Sequence, residues 1–170
     1  MLKNYNKKDQ KLPLFGVGPY MIFGMGILSL IGIILFAYVL KIGILDSPWT
    51  VIFRSVGVIL IIIGLYIWFV GAIRSDMDAH IESNKLKTDG IYALVRNPMY
   101  SGWWIAFAGI TLMWHNVYML VLPAINWLIM TITLINTEEK WLLDIYGDEY
   151  EAYKKRVNRC IPWKKRNRKK

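Results

Sequence analysis

One cysteine, two histidines and twelve acidic residues are all that this 170-residue chain offers to disulfide, metal or acid chemistry. The lone Cys160 excludes an internal disulfide and reads as a free thiol in a basic C-terminal stretch. Asp76, Asp78 and His80 alternate as D-x-D-x-H. A loop just below a helix end is usually polar because it is wet, and no second ligand cluster completes a tetrahedral or octahedral set, so no metal site is expected. His115 reads as a turn residue. No G-x-G-x-x-G follows a strand, which removes the commonest dinucleotide fingerprint. There is no internal repeat, and the only biased segment is the basic tail at 164–170.

What the chain has in abundance is apolar sequence. Hydrophobic residues make up 55% of it and the mean hydropathy is +0.34, too apolar for an ordinary soluble domain. Residues 20–40 carry no charge, residues 51–73 carry only Arg54, and residues 117–135 carry none. Each run is near the ~20 residues that a membrane-spanning helix needs. Residues 99–114 are also uncharged but shorter, which predicts a short or partly embedded helix, paired with the next through a tight turn at His115-Asn116. The fold class expected is therefore all-α: a polytopic membrane protein with about four membrane helices. The first apolar run exceeds the ~7–15 residues of a signal h-region and lacks a small-residue cleavage site, so it is expected to stay as helix one.

Charge predicts the orientation. Lys3, Lys7, Lys8 and Lys11 precede the first span; Arg74, Lys85, Lys87 and Arg96 lie between the second and third; eleven more follow residue 136. Together these are 19 of the 21 basic residues, and four spans place all of them on one side. The positive-inside rule then puts both termini and the 74–98 loop in the cytoplasm. The formal net charge of +9 thus calls for no nucleic acid. The 164–170 tail suits anionic headgroups, at about 1 kcal/mol per basic residue.

Gly16, Gly18 and Pro19 break the chain before the first span, and Asp46-Ser47-Pro48 turn it on the outer side. Asn84 and Asp89-Gly90 are turn signals in the 74–98 loop. Gly24, Gly26 and Gly32 read as helix-packing positions, and Trp49, Trp103, Trp104, Trp114 and Trp163 as interfacial anchors. Tyr146, Tyr150 and Tyr153 recur on one helical face beyond Glu139, which predicts a C-terminal amphipathic helix along the cytoplasmic interface or packed back onto the hairpin. The expected organisation is one domain over 1–170: a two-helix part at 1–83, a cofactor-binding part at 84–163 and the basic tail.

The 88–102 stretch, TDGIYALVRNPMYSG, concentrates the chemistry. Pro98 suits the first turn of a helix and biases Asn97 toward extended geometry, leaving Arg96 beside a positive dipole end. A guanidinium and free amides there suit a carboxylate or phosphate. Tyr100 and Trp103 stand three residues apart and can wall an aromatic slot. The following helix returns to the same side and ends at Glu138-Glu139. An anion corner, an aromatic wall and a carboxylate pair fit a ligand with a carboxylate, a flat base, a diol and a cation; S-adenosylmethionine has each. The plainer alternative is that Arg96 simply obeys the charge rule and the glutamates begin a solvated helix.

Three ordered blocks carry a resemblance: RNPMYSG at 96–102, TEE at 137–139 and YGDEYEAYKKRVNRCIP at 146–162. They resemble the isoprenylcysteine carboxyl methyltransferase family of integral-membrane enzymes and the related phospholipid N-methyltransferases, over roughly residues 84–163. The resemblance implies S-adenosylmethionine as methyl donor and a lipophilic acceptor, a carboxylate or a lipid amine. It implies a donor pocket with Arg96, Asn97, Pro98, Tyr100 and Gly102 on one wall and Glu138 and Glu139 on the other, Arg96, Asn97 and Glu139 lying nearest the chemistry. Asn97 stands where the family pattern usually has histidine, so no titrating side chain is available at that position. Asn158 stands where a proline is common. Two other classes remain open: a non-enzymatic membrane protein that binds lipid or a partner, and a nicotinamide-dependent membrane reductase.

Overall fold

A computed structural model of the protein describes residues 16–75, 80, 83 and 85–162. The basic residues before position 12, Asp76, Asp78, Asn84, Trp163 and the 164–170 tail lie outside the described residues. Within them the chain is all-helical, with two isolated bridges, Ile44 to Asn116 and Val95 to Asn158, in place of any strand. The helices are α1 (Gly18–Ile33), α2 (Trp49–Ala72), α3 (Pro98–Leu112), α4 (Val121–Asn136), α5 (Glu138–Tyr146) and α6 (Asp148–Arg156).

Among the described residues three helical runs are long and apolar enough to cross a bilayer: Gly18–Val39, Trp49–Ala72 and Val117–Tyr146. The first is α1 extended by a π-helical turn over Ile34–Val39. The third joins a 3-10 turn at Val117–Leu120 to α4 and α5. Helix α3 has 15 residues, about 22 Å at 1.5 Å per residue, so its length alone does not span. Backbone hydrogen bonds closed within each helix are what lets such apolar segments enter lipid at all.

Lipid supplies no hydrophobic drive for helix association, so close backbone approach must replace it. On α2, Gly57, Gly64 and Gly71 recur every seven residues and are its buried positions. They meet Gly109, Gly102 and Pro98 of α3 in turn. A Cβ at Gly64 would sit 2.5 Å from the Gly102 carbonyl oxygen, and one at Gly102 2.6 Å from that of Gly64. The α2–α3 seam is thus a contact that side chains would hold apart. The glycines singled out on α1 contribute less evenly: Gly26 lies on the Phe107 ring and Gly32 on Leu122, whereas Gly24 faces open space.

Helix α1 packs against α3 and α4. Met21, Met25, Tyr100, Met130, Leu134 and Cys160 form one core cluster there, with Trp103, Trp104 and Phe107 packed against it. Trp103 and Trp104 are therefore packing residues more than belt anchors, and the Trp104 indole donates to the Pro123 carbonyl at 2.7 Å. Cys160, expected in a loose basic tail, is buried in this core; burial pushes its thiol up to about 11. Deeper along the seam Asn126 donates to Ser29 Oγ at 3.0 Å, a polar tie between α4 and α1. On the far side Asn116 donates to the Ile42 carbonyl at 2.7 Å, and His115, at positive φ, ends the turn between α3 and α4.

The C-terminal helices pack back on the bundle. Tyr150, Tyr153 and Val157 form a buried cluster with Leu86, Leu142, Leu143 and Tyr146. The Tyr153 hydroxyl donates to the Tyr92 carbonyl at 2.6 Å, and that of Tyr92 to the Gly71 carbonyl at 3.1 Å. Burial raises both the Tyr150 and Tyr153 phenols above their ordinary range. Of the three tyrosines on the predicted apolar face, two are thus fully committed to packing against the 86–96 loop.

Candidate active site

The site forms where α3 begins and α4 ends. Pro98 starts α3, and Asn97 before it takes φ −129° and ψ 65°, outside the helical region that a following proline disfavours but short of the fully extended geometry expected. Asn97 does not cap its helix. Its backbone amide donates to the Arg159 carbonyl at 3.0 Å and its side-chain amide to the same oxygen at 3.3 Å. The Arg96 amide donates to the Asn158 carbonyl at 2.9 Å. The strip 158–159 is therefore stitched edge-on to 96–97.

At the other end Thr137 departs from helical geometry, at φ −123° and ψ −89°, and splits α4 from α5. Glu138 and Glu139 then occupy the first turn of α5, where the helix dipole favours negative charge. The break turns the two carboxylates to different partners. Glu139, 6% exposed, accepts from Arg96 Nη2 at 2.8 Å and from Arg159 at 2.6 Å (Nε to Oε1) and 3.1 Å (Nη2 to Oε2). Glu138 accepts from the Tyr100 hydroxyl and lies beside the Val17 amide at the entry to α1.

Sequence reasoning brought Arg96, Tyr100, Glu138 and Glu139 to one depth, and they meet there. The expectation of a free guanidinium at position 96 is refined: Arg96 is 8% exposed, already engages Glu139, and lies over the Tyr150 ring with 5.8 Å from its guanidinium carbon to the centroid. Its Nε is buried and has no partner among the described residues. Gly102 faces α2 rather than the glutamates, and Pro98 packs beneath Gly71, so these two shape the site through backbone position. Two participants escaped the sequence reading. Arg159 lies inside the 146–162 block, for which sequence reasoning gave it no role of its own; its bidentate bond to Glu139 raises its already high pKa. Val17 contributes a backbone amide, for which no side-chain signal exists.

Residues 51–149, more than half of the chain, match the phospholipid methyltransferase family. The match takes in α2, which as sequence looked like a generic span; its glycines make it an integral part of the α3 platform. Curated relatives are similar over stretches of 81 to 116 residues. The protein-S-isoprenylcysteine O-methyltransferase of Schizosaccharomyces pombe is 38% identical over 91 residues, 49% of this chain and 38% of that protein. Methanethiol S-methyltransferase 1 of Bradyrhizobium diazoefficiens is 35% identical over 81 residues, 48% of this chain and 27% of that protein. A probable protein-S-isoprenylcysteine O-methyltransferase of Oryza sativa subsp. indica is 30% identical over 116 residues, 64% and 60% of the two chains. The chain thus covers less than two thirds of the length of each of these relatives. No solved structure matches. With the matched region holding α2, α3, α4 and the glutamate pair, the chain belongs to the phospholipid methyltransferase family.

Proposed function

We propose that this protein is a membrane-embedded methyltransferase that moves a methyl group from S-adenosylmethionine to a lipophilic acceptor. The observation that carries this reading is the meeting of Arg96, Tyr100, Glu138 and Glu139 where α3 begins and α4 gives way to α5 in a member of this family. The residues fit the donor. The buried, unpartnered Arg96 Nε and the uncapped start of α3 suit a carboxylate. The Glu138–Tyr100 side suits a cation or hydroxyls, and Tyr100 and Trp103 offer aromatic surface.

When bound, S-adenosylmethionine supplies a methyl carbon on a cationic sulfur; an acceptor lone pair forms the new bond as the carbon–sulfur pair returns to sulfur, leaving S-adenosylhomocysteine. The protein's part is to hold both partners in line, within ~3–3.5 Å, and to keep water out. The apolar core of Met21, Met25 and Met130 packed with Tyr100 suits that task. No general base is needed for an acceptor that is already an anion. The relatives' names specify isoprenylcysteine O-methylation and methanethiol S-methylation. Asn97 cannot titrate, which favours such carboxylate or thiolate acceptors over an ammonium that must first lose a proton.

The topology that goes with this reading has α1, α2, α3 and the Val117–Tyr146 run all embedded, α3 and α4 as a hairpin, and α5–α6 at the interface. Both termini and the site then face the cytoplasm, where the donor is dissolved, and the 164–170 tail meets anionic headgroups. The test is purified protein with labelled S-adenosylmethionine and total membrane extract, followed by identification of the labelled product. Transfer of label to a lipid-soluble product is expected; a folded protein that binds no donor would return the chain to the non-enzymatic or reductase readings.

A further inference from the structure

We infer that Arg159 is a ligand-binding residue of this site, forming with Arg96 an anion-binding pair for the carboxylate end of the donor; the inference rests on the methyl-donor reading above. Two guanidiniums bond one carboxylate, that of Glu139, which leaves one positive charge in excess among the three groups. The next carboxylate, Glu138, is turned away to the Tyr100 hydroxyl. An uncompensated cation in a buried setting is costly unless paired. The Arg96 Nε has no partner among the described residues, although buried donors are nearly always satisfied.

Access points the same way. The Arg96 side chain is 5% exposed and that of Arg159 is 23% exposed, so Arg159 forms the open edge of the pair and Arg96 its floor. Asn97 grips the Arg159 carbonyl with two donors and the Asn158 carbonyl takes the Arg96 amide, which fixes both arginine backbones side by side. Asn97 is thereby a positioning residue. Two planar forks at fixed spacing match a carboxylate better than a lone ammonium would.

The experiment uses the full chain in lipid nanodiscs and calorimetric titration with S-adenosylmethionine and with its decarboxylated analogue, which differs only in lacking the carboxylate. Wild type is expected to bind the complete donor at least about tenfold more tightly, the size of one charge-assisted hydrogen bond. Arg159→Gln is expected to lose that preference while binding the decarboxylated analogue within about twofold of wild type. A folded Arg159→Gln protein that keeps the wild-type preference overturns the inference. Should that variant not fold, Arg159→Lys keeps the charge opposite Glu139 but loses the planar fork; it is expected to weaken the preference, and an unchanged ratio overturns the inference. Wild type binding both molecules equally overturns the inference and leaves the donor reading standing. Wild type binding neither overturns the donor reading, and the inference with it.

Discussion

Glu138 and Glu139 are chain neighbours that bond opposite sides of the site: Glu138 takes the Tyr100 hydroxyl, and Glu139 takes the guanidiniums of Arg96 and Arg159. Successive residues of a helix point about 100° apart, so a single turn at the start of α5 serves two different neighbours. The chain thereby ties its acidic pair to α3 on one side and to the C-terminal strip on the other.

The two glutamates should separate in stability. Glu139→Ala strands two guanidiniums, one of them buried, and is expected to cost roughly 3–5 kcal/mol. Glu138→Ala leaves a hydroxyl unpaired and should cost about 1–3 kcal/mol. Thermal unfolding in detergent measures both; a larger loss for Glu138→Ala would contradict the bonding described here.

The α2–α3 seam makes a second comparison. Alanine is the better helix former, by about 1 kcal/mol over glycine. At Gly64 and Gly102 that gain is outweighed, because the new Cβ would meet a backbone carbonyl at 2.5 Å and 2.6 Å; overpacking of this kind costs about 1–3 kcal/mol. Gly64→Ala and Gly102→Ala should lower the melting temperature, whereas Gly24→Ala, with nothing within 4 Å, should leave it unchanged or raise it.

Asn97 acts through a neutral N–H on the Arg159 carbonyl. A neutral imidazole can offer the same donor, so Asn97→His should keep donor affinity within about threefold. Asn97→Leu cannot, and should weaken it about tenfold, one hydrogen bond's worth. Calorimetric titration of S-adenosylmethionine decides. Equal affinities in the leucine and wild-type proteins would remove Asn97 from any positioning role.

Cys160 should be inert in the folded protein. It is buried and its thiol is pushed up to about 11, so at pH 8 only about 0.1% is thiolate. Maleimide labelling should be very slow in mild detergent and rapid in dodecyl sulfate. Fast labelling of the native protein would place the 157–162 strip outside the core.

Reporter fusions at 46, 85 and 170 test the orientation. The basic asymmetry predicts residue 46 outside and residues 85 and 170 in the cytoplasm. An external residue 85 would move the site to the wrong side for a cytoplasmic donor.

Apolar runs at 20–40, 51–73 and 117–135 announce helices because lipid admits little else, and α1, α2 and the Val117–Tyr146 run fall on them. Pro98 and the glutamate pair likewise carry their own local physics, the helix start and the acidic first turn, and so could be read directly. That Arg96 would bond Glu139, 43 residues away, was approachable because α3 and α4 had to return to the same side. Three things were decided only by tertiary structure. The seven-residue glycine spacing on α2 acquires meaning from the glycines facing it on α3, since a small residue marks a contact only once its partner is known. Arg159 stands in the 146–162 block without a role until the bridge at 95 and 158 carries it to Glu139. The Val17 amide beside Glu138 belongs to backbone common to every residue, and only packing of α1 over Tyr100 selects that one.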